Sequence, residues 1–188
     1  MILFINACVR QASRTRRLAD CLLAKLNRPY TEVCLQSLTL PAVDEAFLDR
    51  RDRLIREKAF QDPIFAPARP FAEADEIVIA APYWDLSFPA SLKRYMEQIN
   101  VVGITFRYTE QGVPMGLCRA RRLFYVATAG GGYVPEAYGF GYIKALAQSF
   151  YGIPDVRLIQ AVGLDLDGAD TAAILRSAEE SIAGMELN

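Results

Sequence analysis

Four short apolar runs punctuate the chain: "ILFINA" at 2–7, "EIVIAAP" at 76–82, "RLFYVATA" at 122–129 and "DVRLIQAVG" at 155–163. They are rich in Val, Ile, Leu and Phe and lack polar alternation, the pattern of strands covered on both faces. "PYTEVCLQ" at 29–36 is weaker, because Thr31, Glu32 and Gln36 interrupt it, and reads as a fifth strand at a sheet edge. Helical patterns lie between the strands at 13–27, about 44–60, 89–100 and 137–151, with a last one near 168–184. Strand alternating with helix predicts an α/β fold: a five-stranded parallel sheet wrapped by right-handed crossovers, three layers deep, with strand order 2-1-3-4-5. The charged stretch "DRRDRLIREKAFQDP" at 49–63 fits an exposed helix ending before Pro63.

Composition narrows the function. A chain of 188 residues that is 52% hydrophobic supports one domain over 1–188 and is too short for two. Its 21 basic and 22 acidic residues are spread along the chain and leave a net charge of -1, so no nucleic-acid partner is expected. The first apolar run, only about seven residues long with no basic lead-in, reads as a strand rather than a signal peptide. No segment approaches the roughly 20 apolar residues of a membrane span, so a cytoplasmic protein is expected. Cys8, Cys21, Cys34 and Cys118 lack a CxxC spacing and predict neither a zinc site nor a disulfide framework. The chain contains no histidine, which removes Ser-His-Asp and Cys-His catalysis, HExxH sites and imidazole metal sites together, and no bound metal is expected.

In an open parallel sheet the ligand sits beyond the carboxyl ends of the strands, at the switch point between the first and third. Three loops converge there: "CVRQASRTRR" after strand one, "APYWDLSFPAS" after strand three and "TAGGGYVPEAYGFG" after strand four. The first has no glycine, so the dinucleotide and Walker phosphate fingerprints are absent. Ser13 is a good N-cap, and the helix start behind it favours an anion. Ser13 and Thr15 hydroxyls and the Arg10 and Arg14 guanidinium groups suit phosphate oxygens; a plain helix cap with solvated arginines accounts for them equally. Tyr83 and Trp84 suggest a platform beside a flat ligand, or ordinary packing against the sheet. Gly130, Gly131 and Gly132 allow close backbone approach to a ligand.

At "APYWDLSFPASLKRYMEQINVVGITFRYTEQGVPMGL" (81–117), followed by a strand and "TAGGGY", the sequence resembles the flavodoxin-like NAD(P)H-dependent FMN oxidoreductases of the azoreductase and quinone reductase type. The resemblance implies a flavodoxin-like three-layer sandwich and, by analogy, a site with FMN phosphate in the loop after strand one, where Ser13, Arg14 and Thr15 match the later part of the family motif. The family's earlier serine falls near Val9 or Arg10, a departure in which Arg10 replaces a hydroxyl with a charge. By the same resemblance Pro82, Tyr83, Trp84, Asp85 and Leu86 line the isoalloxazine edge, and Thr128, Ala129, Gly130 and Gly131 its pyrimidine side. Trp84, Tyr108 and Tyr133 would meet the substrate, Tyr108 near a homodimer interface. The implied activity is hydride transfer from NADH or NADPH through FMN to a quinone or azo acceptor, in ping-pong order, with no obligate side-chain acid.

Two other readings compete. Cys8, five residues, then Arg14 and Thr15 is also the spacing at which low-molecular-weight phosphotyrosine phosphatases place nucleophile and phosphate-binding arginine. Such enzymes need an aspartic general acid, typically just before a proline in a late loop. Here the sole Asp-Pro is Asp62-Pro63, before strand three. A flavodoxin-like electron carrier is the other reading, weakened by the absence of a strongly acidic docking face.

Overall fold

The computed structural model describes residues 1–187. In chain order the elements are β1 (Ile2–Asn6), α1 (Arg14–Leu26), β2 (Tyr30–Cys34), α2 (Glu45–Arg56), α3 (Ala68–Glu73), β3 (Glu76–Ala80), α4 (Ala90–Ile99), β4 (Phe106–Tyr108), β5 (Pro114–Gly116), β6 (Arg122–Thr128), α5 (Phe140–Leu146), β7 (Asp155–Ala161) and α6 (Thr171–Gly184). The five long strands form one parallel sheet of order β2-β1-β3-β6-β7, the expected topology, with β2 at the expected edge.

Alternate residues of the central strands feed two separate cores. Leu3, Ile5, Ile77, Ile79, Leu123 and Tyr125 pack on the side of α3, α4 and α5. Ile2, Phe4, Val78, Ala80, Phe124 and Val126 pack against Leu18, Leu22, Leu175 and Ile182 of α1 and α6. Both faces being covered is why these strands read as continuous apolar runs. Local signals fix the helix ends. Ser13 accepts from the Arg16 amide and Asp170 from that of Ala173, while Asn27, at φ 47°, closes α1 by donating to Leu23 O. α2 stays largely exposed, as expected, but stops at Arg56: Asp44 caps its start, and Lys58 turns left-handed (φ 54°) just past its end.

Three segments differ from the sequence expectation. α3 is hidden from pattern reading by Pro67 and Pro70, the latter tolerated because it lies in the first helical turn. The 137–151 helix is α-helical only over Phe140–Leu146 and widens to a π turn over Ala147–Tyr151, where Ile153 donates to Ala147 O and Gly152 adopts φ 72°. β4 and β5 form an antiparallel hairpin of three-residue strands, too short to show a period of two, turned through Thr109 and Gly112.

Charged groups gather at the amino edge of the sheet and are paired there. The N-terminal ammonium meets Asp75, Arg28 reaches buried Glu76 at 2.8 Å, and Arg122 and Arg157 share Asp155. The hairpin is fastened to the π turn by backbone contact. A Cβ on Gly116 would fall 2.2 Å from Gly152 N and Tyr151 C. Gly116→Ala is therefore expected to lower unfolding free energy by roughly 1–3 kcal/mol, read as a shifted urea midpoint at unchanged slope.

Candidate functional site

The ladder continues past the strands and sets the loops. Ala7 N–H donates to Ala80 O, Ala81 N–H to Val126 O, Tyr83 N–H to Thr128 O and Ala129 N–H to Ala161 O, all at 2.8–2.9 Å. Between these loops opens a cleft of about 400 Å³. Val9, Arg10, Ala12, Ser13, Arg14 and Thr15 line it from the first loop, Pro82, Tyr83 and Trp84 from the second, Thr128 and Gly130 from the third. Asp165, from the loop after β7, completes it.

The hydroxyl and arginine residues of the first loop have distinct tasks. Ser13 Oγ accepts from Arg16 N at 3.2 Å, so it is a helix cap. Thr15, only 1% exposed, shares a 2.6 Å hydrogen bond with Thr128 Oγ1 and ties the start of α1 to the end of β6. Arg14 is held by Asp165, with Nη1 donating to Oδ1 at 2.7 Å and Nη2 to Oδ2 at 3.1 Å, and Nη1 also reaches Leu164 O at 3.4 Å. The hydrogen bonds from Arg14, with the further charge of Arg10, keep the Asp165 carboxyl below its ordinary range. The amides of Arg14 and Thr15, in the first turn of α1, have no intrahelical acceptor. Sequence reasoning missed Asp165. It sits at a strand's carboxyl end, which is the signal available, but its partner 151 residues away is not legible.

Of the sequence-predicted contacts, Arg10, Ser13, Arg14, Thr15, Pro82, Tyr83, Trp84, Thr128 and Gly130 line the cleft. Ala129 and Gly131 stand behind it: the Ala129 amide is spent on Ala161 O, and Gly131 O accepts from Gly163 N. Asp85 and Leu86 lie beside a neighbouring depression with Tyr138 and Tyr142. They occupy the middle of a tight turn closed by Trp84 and Ser87, which exchange hydrogen bonds of 3.1 and 2.7 Å. Both are left-handed, at φ 49° and 65°, a conformation disfavoured for leucine. Tyr133 is exposed on the loop past the glycines, and Tyr108 is exposed on the β4–β5 hairpin, outside the residues lining the cleft in this chain.

The cleft's second end is aromatic. Trp84 is exposed, while the Tyr83 hydroxyl is buried without a hydrogen-bond partner among the described residues. Burial, reinforced by Tyr133, pushes the Tyr83 phenol up, so it stands as a donor. Cys8 is 7% exposed, and its Sγ faces Ala80 O at 3.9 Å. Burial raises its thiol, outweighing the Ser13 hydrogen bond and Arg16, so no thiolate is held there at neutral pH. Asp62 pairs with Arg50 and caps the turn at Pro63, and is absent from the cleft. With the thiol protonated and Asp62 outside the cleft, the geometry does not support a phosphatase site.

The family described as flavodoxin-like fold matches residues 1–184. An FMN-dependent NADH:quinone oxidoreductase of Clostridium beijerinckii is 36% identical over 182 residues, covering 92% of this chain and 90% of that protein. One from Lachnoclostridium phytofermentans is 34% identical over 192 residues, covering 95% and 94%. An azoreductase structure from Bacillus anthracis superposes with a TM-score of 0.84 at 24% identity over 97% of this chain and 96% of that one, a likeness of fold.

Two outcomes follow from the geometry. Leu86→Gly relieves a left-handed leucine and is expected to raise unfolding free energy by about 0.5–1 kcal/mol in thermal or urea denaturation. Cys8 is expected to resist iodoacetamide at pH 7.5 in the folded protein and to react once unfolded, read by mass spectrometry of peptides.

Proposed function

The chain belongs to the flavodoxin-like fold family, and from that premise we propose that it is an FMN-dependent oxidoreductase taking hydride from NADH or NADPH to reduce quinones, with azo compounds as further acceptors. The observation that carries this reading is a single cleft at the β1/β3 switch point with a cationic end and an aromatic end. Its volume of about 400 Å³ lies within the usual range for a ligand site. The residues fit the group. Arg10, Arg14 and the free amides opening α1 suit a phosphate, and Tyr83 and Trp84 supply a wall for a flat ring system.

When bound, FMN would supply the redox chemistry, hydride transfer between nicotinamide and acceptor in ping-pong order. The chain's own residues bind and orient. The Thr15–Thr128 bond fixes the floor between the two ends, and Ala7, Ala80 and Ala81, all fully buried, keep water out beneath it. No imidazole is needed for these tasks, which accords with a chain that has none. A homodimer is part of the proposal: Val113, Met115 and Leu117 are exposed apolar residues of the hairpin and Tyr108 is exposed on its other face, and a partner packed around the hairpin would bring Tyr108 to an acceptor.

FMN added to the protein and then desalted is expected to remain bound and to quench Trp84 fluorescence; loss of all flavin and no quenching overturn the reading. Cys8→Ser is expected to keep NADH:quinone turnover within a few-fold of the parent, whereas Arg10→Ala weakens FMN binding by about 1.5–3 kcal/mol if it makes a charge-assisted phosphate bond. Light scattering at micromolar concentration is expected to give twice the chain mass, and a monomer removes the role of Tyr108.

A further inference from the structure

We propose that the Asp165 carboxylate is an internal stand-in for the phosphate: it holds Arg14 until a flavin phosphate displaces it, and so lowers the affinity for phosphorylated flavin while leaving that for unphosphorylated flavin unchanged. The inference rests on the reading of the cleft as an FMN site.

Three observations converge. First, Asp165 lines the same cleft as both arginines and engages the guanidinium of Arg14 through two parallel hydrogen bonds, the geometry with which that group also takes a phosphate. Arg10 lines the same cleft, and its charge also favours the carboxylate form of Asp165. Second, a Cβ on Gly130 would lie 2.3 Å from Asp165 Oδ2, so this glycine leaves room for the carboxylate where the third loop borders the cleft.

Third, the carboxylate is not needed to hold its own loop. The backbone of 163–169 is fastened independently, with Gly163 N–H donating to Gly131 O, Leu164 N–H to Ala129 O and Asp165 N–H to Gly130 O, while Thr171 Oγ1 donates to Leu164 O. The ion pair itself is solvent-facing, with 32% and 62% of the two side chains exposed, and such pairs add little to stability. A dianionic phosphate entering beside an unmoved carboxylate meets repulsion, whereas rotating that exposed side chain into water frees a pre-placed bidentate cation. Riboflavin, without the phosphate, gains nothing from the exchange.

The test is titration of FMN and of riboflavin, by flavin fluorescence, into the parent protein and Asp165→Asn. Asn preserves shape and one acceptor while removing the charge. FMN is expected to bind Asp165→Asn about tenfold more tightly than the parent, with riboflavin within about twofold. A flavin-free readout accompanies it: inorganic phosphate should raise the melting temperature of Asp165→Asn by more than that of the parent, each measured against its own phosphate-free value. FMN binding the parent but binding Asp165→Asn equally or more weakly makes the carboxylate a strut and overturns the inference. Equal gains for FMN and riboflavin also overturn it, since the effect is then not directed at phosphate. Failure of both flavins to bind the parent overturns the underlying reading of the cleft, and this inference with it.

Discussion

The amide of Ala7 donating to Ala80 O, and those of Ala81, Tyr83 and Ala129 donating in turn to Val126, Thr128 and Ala161, carry the parallel ladder beyond the strands themselves. A parallel sheet aligns all its carboxyl ends on one edge, and these bonds extend that alignment into the first residues of each loop. Loop backbones are thereby fixed by the same register that fixes the core. Side chains as far apart in sequence as Arg10, Tyr83, Thr128 and Asp165 share one cleft because each is displaced only a few residues from a paired strand end.

Two local costs are absorbed by this frame. A leucine and an aspartate are held left-handed between Trp84 and Ser87, a conformation that an isolated segment would abandon. Here the turn is anchored on one side by Tyr83 N–H on Thr128 O and on the other by Ser87 Oγ donating to Tyr138 O. The buried Thr15 and Thr128 hydroxyls would each be costly alone, and each satisfies the other. Strain and buried polarity thus sit beside the cleft, while the centre of the sheet is made of aliphatic and aromatic side chains in ordinary burial.

The layered fold was legible because both faces of β1, β3 and β6 are buried, which removes polar residues from their sequence. The exposed edge of β2 was legible for the opposite reason, through Thr31 and Glu32. Short elements were not: α3 carries prolines at both ends of its first turn, and the β4–β5 strands hold three residues each. Most of the cleft could be located, since strand-end position and residue type are sequence properties. What each residue does there could not be read. The Thr15 hydroxyl, which the sequence offers to phosphate, is bonded to Thr128, a partner 113 residues away that the sequence does not show. The Cys8-to-Arg14 spacing suggested a nucleophile, yet burial, a property of the packed sheet edge, keeps the thiol protonated.

A net charge of -1 conceals how unevenly charge is used along the sheet. At the amino edge Arg28, Arg122 and Arg157 are neutralised by Glu76 and Asp155, some of them deep enough that losing a partner would strand a buried charge. At the carboxyl edge Arg14 pairs with an exposed Asp165, and Arg10 lines the same cleft beside a helix start whose amides point outward. Pairs of the first kind are built on the buried Glu76 and the half-buried Asp155, and serve the fold. The second kind is solvent-facing and exchangeable, and exchangeability is what an anion site requires: the cations must be held in place before the ligand arrives, yet released to it at little cost. The same two residue types therefore act as structural locks at one end of the strands and as a replaceable contact at the other, with burial deciding between them.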